Sequence, residues 1–346
     1  MAKVLITGGA GFIGSNAVER FCNLGHEVSV LDNLSRPGAA RNLVWLQANL
    51  SFEFFEVEMR DADSVADVVA KVRPDYVIHC AGQVAVTTSV QNPRLDFEAN
   101  ILATFNLLEA LRRLKTSPFL IFTSTNKVYG ELEEIETTEL EFRHNFTNLD
   151  NGVPESFPLD FRSPYGCSKG AADQYVLDYS RTFRIEAVVF RQSCVYGPRQ
   201  FGVEDQGWIA WFMIASCLAE EVTIFGDGKQ VRDALYVDDL IDVFEAAIKN
   251  RKMVSGRAYN IGGGPQNTLS LLELVEKIAA LSGRTLNASF GPRRPSDQKV
   301  FISDIRNAAN DIGWVPKTSV DAGLGSLHGW IVENISMIKD QVRGTH

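Results

Sequence analysis

The sequence is poor in the features that mark secreted, fibrous or membrane-embedded chains. Its five cysteines, Cys22, Cys80, Cys167, Cys194 and Cys217, are odd in number and scattered, with no Cys-x-x-Cys. That spacing argues against a disulfide framework and against structural zinc, so no bound metal is expected and a reducing cytoplasm fits. Met-Ala-Lys runs directly into Val4-Leu5-Ile6, without the charged segment and long apolar stretch of a signal peptide. The longest apolar run, Trp208 to Ala219, is broken by Ser216. It falls short of the ~18 to 20 residues that cross a bilayer and reads as a buried helix. Positive charge is also in deficit: 34 Lys+Arg against 43 Asp+Glu leave a net charge of −9. No global field draws in nucleic acid or anionic lipid, so neither partner is expected, and an anionic ligand must be caught by local arginines.

What remains is ordinary globular composition, 45% hydrophobic and 22% charged. At 346 residues the chain exceeds the usual limit of one hydrophobic core, which predicts a large and a smaller lobe. Short β-branched runs alternate with helical periods in the first half. Val4–Thr7, Glu27–Leu31, Phe52–Val57, Tyr76–Cys80, Phe119–Phe122 and Glu186–Phe190 read as strands, with helices over Ile13–Leu24, Ala62–Val72 and about Leu95–Leu114. The pattern predicts an α/β fold with a doubly wound, Rossmann-like parallel sheet. After about Gln192 the elements become shorter and richer in Gly and Pro. Residues 1–191 are therefore expected to be mainly the dinucleotide-binding domain and 192–346 mainly a smaller α/β substrate-binding lobe, with the chain free to cross between them. Leu271, Leu274, Val275, Ile278 and Ala279 mark one face of a helix behind Ser270 as N-cap. Glu131–Arg162 is acidic and aperiodic and reads as a loop over the sheet.

The first strand runs into Gly8-Gly9-Ala10-Gly11-Phe12-Ile13-Gly14 and then a helix. Glycines at that junction let a pyrophosphate approach the helix N-terminus, where backbone N–H groups face it. A bare G-x-G-x-x-G is weak, but the flanking strand and helix, with Asp32 ending the next strand, supply the context it requires. Asp32 suits a ribose hydroxyl pair and repels a 2′-phosphate, which favours NAD. Arg36 is a residue type that can pair with that phosphate, the contrary sign.

Ser163-Pro164-Tyr165-Gly166-Cys167-Ser168-Lys169 reads as a helix start, with Ser163 as N-cap and Pro164 at the first helical position. Tyr165 and Lys169 then share a face. A nearby ammonium stabilises phenolate, so the pair can make a phenol a proton acceptor near neutral pH. Such pairs also arise by chance on solvated helices; the adjacent dinucleotide cradle is what singles this one out. At the end of the Phe119–Phe122 strand, Thr123, Ser124 and Thr125 offer three hydroxyls where ligands bind in open α/β folds, and spacing does not choose among them.

Gly8/Gly11/Gly14, Thr125, Tyr165–Lys169, Val195-Tyr196-Gly197-Pro198-Arg199 and Gly226-Asp227-Gly228-Lys229-Gln230-Val231-Arg232-Asp233, in that order, resemble the extended short-chain dehydrogenases that modify nucleotide sugars. The match spans nearly the whole chain. Within that family, Ala81-Gly82-Gln83-Val84-Ala85, Ser124 to Gly130, Ser163 to Tyr175 and Asp205-Gln206-Gly207-Trp208 are most similar to the subgroup that inverts C2 of CDP-linked hexoses. The resemblance implies Thr125 as the sugar's hydroxyl partner, Tyr165 as acid/base, and Lys169 as its tuner and ribose anchor. It implies NAD contacts from Gly8, Gly11, Phe12, Ile13, Gly14, Asp32, Asn33, Ser35, Arg36, Glu58, Met59, Ala81, Gly82, Gln83, Asn100, Thr123, Tyr165 and Lys169. Substrate contacts are implied from Thr88, Thr125, Asn126, Gln206, Trp208, Arg232 and Arg294, the two arginines matching the family's diphosphate clamps. Trp208 is equally a candidate for the core. Two departures stand out: Glu58-Met59 where the family has Asp and an aliphatic, and Cys194 where it has Asn.

The implied activity is epimerisation of a nucleotide sugar, a CDP-hexose being favoured: transient oxidation by tightly held NAD, rotation of the 2-keto sugar and re-reduction. A 4-epimerase uses the same trio. A 4,6-dehydratase carries Asp-Glu after its Thr, whereas Thr125 precedes Asn126-Lys127. A non-catalytic NAD(H)-sensing regulator on this fold would lack the Tyr–Lys pair. A homo-oligomer, dimer or tetramer, is implied, built on the helices near Leu95–Leu114 and Ala171–Phe183.

Overall fold

A computed structural model describes residues 1–294 and 297–343. The elements run β1 (Lys3–Thr7), α1 (Phe12–Asn23), β2 (Glu27–Asp32), α2 (Ala39–Asn49), β3 (Glu53–Glu56), α3 (Ala62–Val72) and β4 (Tyr76–His79). Then come α4 (Val86–Gln91), α5 (Pro93–Phe97), a π-helical turn (Glu98–Leu102), α6 (Ala103–Arg112), β5 (Phe119–Thr125) and a 3-10 turn (Asn126–Tyr129). A small hairpin, β6 (Thr137–Glu139) and β7 (His144–Phe146), precedes α7 (Ser163–Phe183) and β8 (Ala187–Gln192). The remainder is β9 (Cys194–Tyr196), α8 (Trp208–Leu218), β10 (Val222–Phe225), β11 (Val231–Tyr236), α9 (Val237–Lys249), α10 (Arg251–Val254), β12 (Arg257–Ile261) and β13 (Thr268–Ser270). It closes with α11 (Leu271–Ser282), β14 (Ala288–Gly291), β15 (Val300–Phe301), α12 (Arg306–Ile312), α13 (Val320–Glu333) and α14 (Ile335–Arg343).

Seven strands in the order β12-β8-β5-β4-β1-β2-β3, each pair parallel, form the central sheet. The strand order reverses beside β1, so a crevice opens at the carboxyl ends of β1 and β4. Alternate residues of each strand enter opposite cores: Val4, Ile6, Ile121 and Phe190 pack on the α1 and α9 side, and Leu5, Val77, Phe122 and Val189 on the α3, α6 and α7 side. Beyond β8 the chain crosses between lobes. β12 pairs with β8, and Leu240 and Phe244 of α9, Ala308 of α12 and Trp314 just beyond it pack on the first sheet. The second lobe is a mixed sheet of β9, β11, β13 and β15 with the β10–β14 pair, cored by α8, α11 and α13.

Helix α8 is buried along Ile209, Ala210 and Phe212 to Ser216, the expected core helix. Helix α11 has the expected Ser270 cap, completed by Glu273 in a capping box. Three features depart from the sequence reading. Helix α2 was not anticipated, because Val44 and Trp45 are exposed and break the apolar period. The stretch from Leu95 to Leu114 is not one regular helix: the π turn interrupts it and carries Asn100 inward. Ser163 is not the N-cap but the first residue of α7, Arg162 taking the cap position; the Ser163 hydroxyl still accepts the Gly166 N–H at 3.3 Å, and its backbone is left-handed (φ 62), a conformation costly for a non-glycine residue.

Candidate active site

The turn after β1 closes on itself. Gly8 has φ +67, and a Cβ there would lie 2.6 Å from the Ala81 nitrogen; a Cβ on Gly14 would lie 2.1 Å from the Gly8 carbonyl oxygen. Gly11 caps α1 without a side chain, leaving Phe12 and Ile13 to start the helix with amides directed at the crevice. Asp32, at the tip of β2, accepts the backbone N–H groups of Ala10 (3.0 Å) and Leu34 (2.8 Å). Burial raises its carboxyl pKa against those bonds. It therefore braces both loops of the crevice, a role the sequence did not disclose.

Around it, Asn33 accepts from Ser35 and donates to Glu58 at 2.9 Å, and Glu58 pairs with Arg60 at 2.8 Å. The Arg60 hydrogen bond holds the Glu58 carboxyl below its ordinary value. Met59 is buried beside it and its carbonyl accepts from Asn106. Burial lowers the pKa of Arg36, whose charge is felt by Tyr165 across the crevice.

On the other rim, the β4 end delivers Ala81, Gly82 and Gln83 to Asn100. The Asn100 Oδ1 accepts the Gln83 N–H at 3.0 Å, and a Cβ on Gly82 would lie 2.7 Å from that oxygen. Asn100 donates to Asp96 and Ser168, and Ser168 donates to Asp96 at 2.5 Å. Buried Asp96 thus anchors α7 one turn beyond Tyr165. Nothing in the local sequence of Asp96 and Ser168 announced this, since they lie far apart in the chain.

Tyr165 is 7% exposed, and the Thr125 hydroxyl, which donates to Asn126 Oδ1 and accepts the Lys127 N–H at 3.3 Å each, lies near enough to lower its pKa. The neighbouring hydroxyls are engaged elsewhere: Thr123 donates to the His79 carbonyl at 2.8 Å and Ser124 to Asp173 at 2.9 Å. Of the three hydroxyls, Thr125 is the one that bears on the Tyr165 phenol. Lys169 donates from Nζ to the Thr123 carbonyl at 2.6 Å and lies 4.4 Å over the Phe122 ring. The expected acidic phenol is not what these surroundings produce. Burial pushes Tyr165 up to about 12, opposed by the Thr125 hydroxyl and the Arg36 charge, and burial brings Lys169 down to about 8.

On the substrate side, Thr88 lies half-buried on α4 and its carbonyl accepts from Asn92. Asn126 donates weakly to Gln298 at 3.4 Å. Gln206 pairs through its backbone with Val203. Trp208 donates to the Cys194 sulfur at 3.5 Å and packs edge-on against Phe212 at the margin of the second lobe's core. Arg232 is buried and donates to Asp297 at 2.5 Å. Arg294 stacks on Phe225 at 3.9 Å and donates to the Glu204 carbonyl and Asp205 at 3.2 Å. Pro295 and Ser296 of the motif Arg294-Pro295-Ser296-Asp297 lie outside the described residues.

Two observations fit a bound dinucleotide. The glycine cradle is space that any side chain would fill. Gln192, the parallel-register partner of Thr125 and 7% exposed, has an Nε2 with no hydrogen-bond partner among the described residues. The sequence reading missed Gln192; its signal was only its place at a strand's carboxyl end.

A doubly wound sheet with a pyrophosphate cradle and a Thr–Tyr–Lys group at its carboxyl edge defines a dinucleotide-dependent enzyme that oxidises or reduces a carbon bearing oxygen. The profile of the NAD dependent epimerase/dehydratase family matches residues 4–262, and the chain belongs to that family. It is 46% identical over 333 residues, 95% of this chain and 98% of the relative, to a CDP-paratose 2-epimerase of Salmonella typhi. Among solved structures, the Thermotoga maritima UDP-glucose 4-epimerase with UDP-glucose superposes with a TM-score of 0.82 at 31% identity, covering 96% of this chain and 99% of that one. The Thermus thermophilus UDP-glucose 4-epimerase complex with NAD gives 0.80 at 31%, covering 95% and 98%. The chain is an NAD-dependent epimerase.

Proposed function

We propose that this enzyme inverts C2 of a CDP-linked hexose, converting CDP-paratose and CDP-tyvelose into one another. The observation that carries the chemistry is the buried Tyr165 phenol under the influence of the Thr125 hydroxyl, with Lys169 one turn further along α7, at the sheet's carboxyl edge. The extended likeness to the Salmonella typhi enzyme favours C2 and the CDP group. The Gly8–Gly14 cradle, Asp32, Gln83, Asn100 and Lys169 would hold NAD. When bound, NAD supplies a reversible hydride acceptor and a positive charge that favours phenolate.

A sugar hydroxyl placed between Thr125 Oγ1 and Tyr165 Oη is held in line for proton transfer. Tyr165, as phenolate, takes the hydroxyl proton while the carbon is oxidised, and gives it back when the ketone is reduced on its other face. Lys169 carries the compensating charge. Asn126 and Lys127 stand where an eliminating enzyme needs an acid and a base, so water is retained. Arg232 and Arg294 would take the diphosphate. We also infer a cytoplasmic enzyme that self-associates through α6 and α7. Among the described residues no helix is long and apolar enough to cross a membrane.

The test is incubation with CDP-paratose, CDP-tyvelose and UDP-glucose in deuterated water, following C2 and C4 by NMR. Inversion at C2 without carbon-bound deuterium is expected, with no stoichiometric consumption of added NAD. Inversion at C4 of UDP-glucose would make it a 4-epimerase, and stoichiometric consumption would make it a dehydrogenase.

A further inference from the structure

A buried ammonium needs a counter-charge, and Lys169 has no carboxylate at ion-pair distance among the described residues. From β5 it meets the Thr123 carbonyl and the Phe122 ring. From the end of β4 it faces His79, which burial holds down to about 3, and Cys80, which burial pushes up to about 12, so both are uncharged at neutral pH. Two carboxylates bear on it, Asp173 and Asp96. Asp173 is already matched: its oxygens take the Nε and Nη2 of buried Arg191 at 3.0 and 3.2 Å. Asp96, on α5 and 1% exposed, has no cation at ion-pair distance among the described residues.

The hydrogen bonds around Asp96 settle its ionisation. Gln83 Oε1 accepts the Ala85 N–H, and Asn100 Oδ1 accepts the Gln83 N–H at 3.0 Å, which turns both amide NH2 groups towards Asp96. Asp96 Oδ1 then accepts from Gln83 at 2.8 Å and from Asn100 at 3.2 Å, and Oδ2 from the Ser168 hydroxyl at 2.5 Å. Three donors and no acceptor suit a carboxylate, because a protonated acid would aim its hydrogen at a donor. Burial raises the Asp96 pKa, and the Ser168 and Gln83 bonds and the Lys169 charge oppose the rise. Ser168 joins the two buried charges, since it is bonded to Asp96 and precedes Lys169 in α7. Across so dry a site they act on one another beyond contact distance. We infer that Asp96 is a positioning residue acting through Lys169: it is the counter-charge that holds the Lys169 side chain as a cation one turn along α7 from Tyr165. Its bearing on turnover rests on the reading above, in which that cation compensates the Tyr165 phenolate.

The experiment is an NMR titration of the Lys169 ε-carbon in the NAD-loaded enzyme, for wild type, Asp96→Asn and Ser168→Ala. Asp96→Asn removes the charge and keeps the bonds: its oxygen faces Gln83 and Asn100, its NH2 faces Ser168, and the Ser168 hydroxyl turns to the Tyr165 carbonyl, 3.2 Å away. The Lys169 midpoint should fall by about one pH unit or more in Asp96→Asn, the scale of one charge acting through partly desolvated protein. It should stay in place in Ser168→Ala, which breaks a bond and leaves the charge. An unmoved midpoint in Asp96→Asn, or an equal fall in both variants, overturns the inference. Should Asp96→Asn not fold, the wild type decides: the Asp96 carboxyl-carbon signal should step at the Lys169 midpoint, and a flat signal there overturns the inference. Turnover of CDP-paratose is the separate arm, in which the alkaline limb of the Asp96→Asn pH profile should move down with the midpoint. A midpoint that moves without the limb makes Asp96 merely structural and also overturns the inference. A wild type that leaves CDP-paratose unchanged overturns the substrate reading instead, and the titration alone then judges Asp96.

Discussion

Tyr165 is asked to be buried and to ionise, and these demands oppose each other. Burial holds its phenol near 12, so turnover depends on the groups that offset burial: the Thr125 hydroxyl, the Arg36 charge and bound NAD. Tyr165→Phe removes the proton carrier but no part of the cradle. Turnover should fall by about 10²- to 10⁴-fold, the usual worth of a general acid/base, while NAD co-purifies as before. Single-turnover rates and the absorbance of bound NAD check this. The cradle makes a sharper claim. Gly14→Ala drives a Cβ to 2.1 Å from the Gly8 carbonyl, whereas Gly11→Ala brings one to 3.1 Å of the same oxygen. NAD retention should collapse in Gly14→Ala and be reduced only modestly in Gly11→Ala, measured as NAD content per chain after gel filtration. Gly8, Gly14, Asp32 and the Tyr165–Lys169 pair were legible because their spacing is local. The assignment among Thr123, Ser124 and Thr125, and the place of Asp96, depended on neighbours from other elements that no local spacing encodes.

Among the strands and helices, His79 fastens three together. At the end of β4 its Nδ1 meets the Thr7 hydroxyl of β1 at 2.6 Å and its Nε2 the Thr104 hydroxyl of α6 at 3.1 Å. Burial, with the Lys169 charge, holds its pKa down to about 3 against an ordinary 6.5. The unfolded chain therefore binds a proton that the native chain refuses. The stability this represents is complete above pH 6.5 and is lost as pH falls from 6.5 towards 3, at up to about 1.4 kcal/mol per pH unit. Urea unfolding of wild type should show that slope between about pH 6.5 and 4.5, and His79→Asn should flatten it while lowering stability at neutral pH. Ser270 is a second fastening: its Oγ accepts the Glu273 N–H at 3.1 Å and donates to the Phe142 carbonyl at 2.7 Å. Ser270→Ala should cost about 1 to 2 kcal/mol, read from denaturant midpoints. That cap was legible because a cap is a local device. Helix α2 was not, because its exposed Val44 and Trp45 answer to tertiary surroundings; Trp45 lies beneath Arg199, whose guanidinium carbon is 3.9 Å from the ring centroid.

Across the chain, the parallel sheet could be read from alternating periods, but the strand that completes it could not. β12 joins β8 across 64 intervening residues, counted from Gln192 to Arg257, and its short run Arg257–Ile261 resembles the mixed elements around it. Helices α6 and α7 also share an aromatic surface. Phe105 and Tyr175 meet edge to face at 6.0 Å, Tyr179 and Phe183 pack at 4.8 Å, and Phe105, Tyr175 and Phe183 remain exposed. Exposed aromatic rings gathered on one helix pair are costly in water and are the residue types that anchor interfaces. The self-association proposed through α6 and α7 would bring two copies of this face together about a two-fold axis. A charge at its centre should prevent that association without reaching the cradle, since Phe105 and Tyr175 are exposed while Tyr165 and Lys169 are buried. Phe105→Glu combined with Tyr175→Glu should halve the mass measured by light scattering, with NAD content per chain unchanged. A wild type that is already monomeric at micromolar concentration would leave this aromatic face without the partner assigned to it.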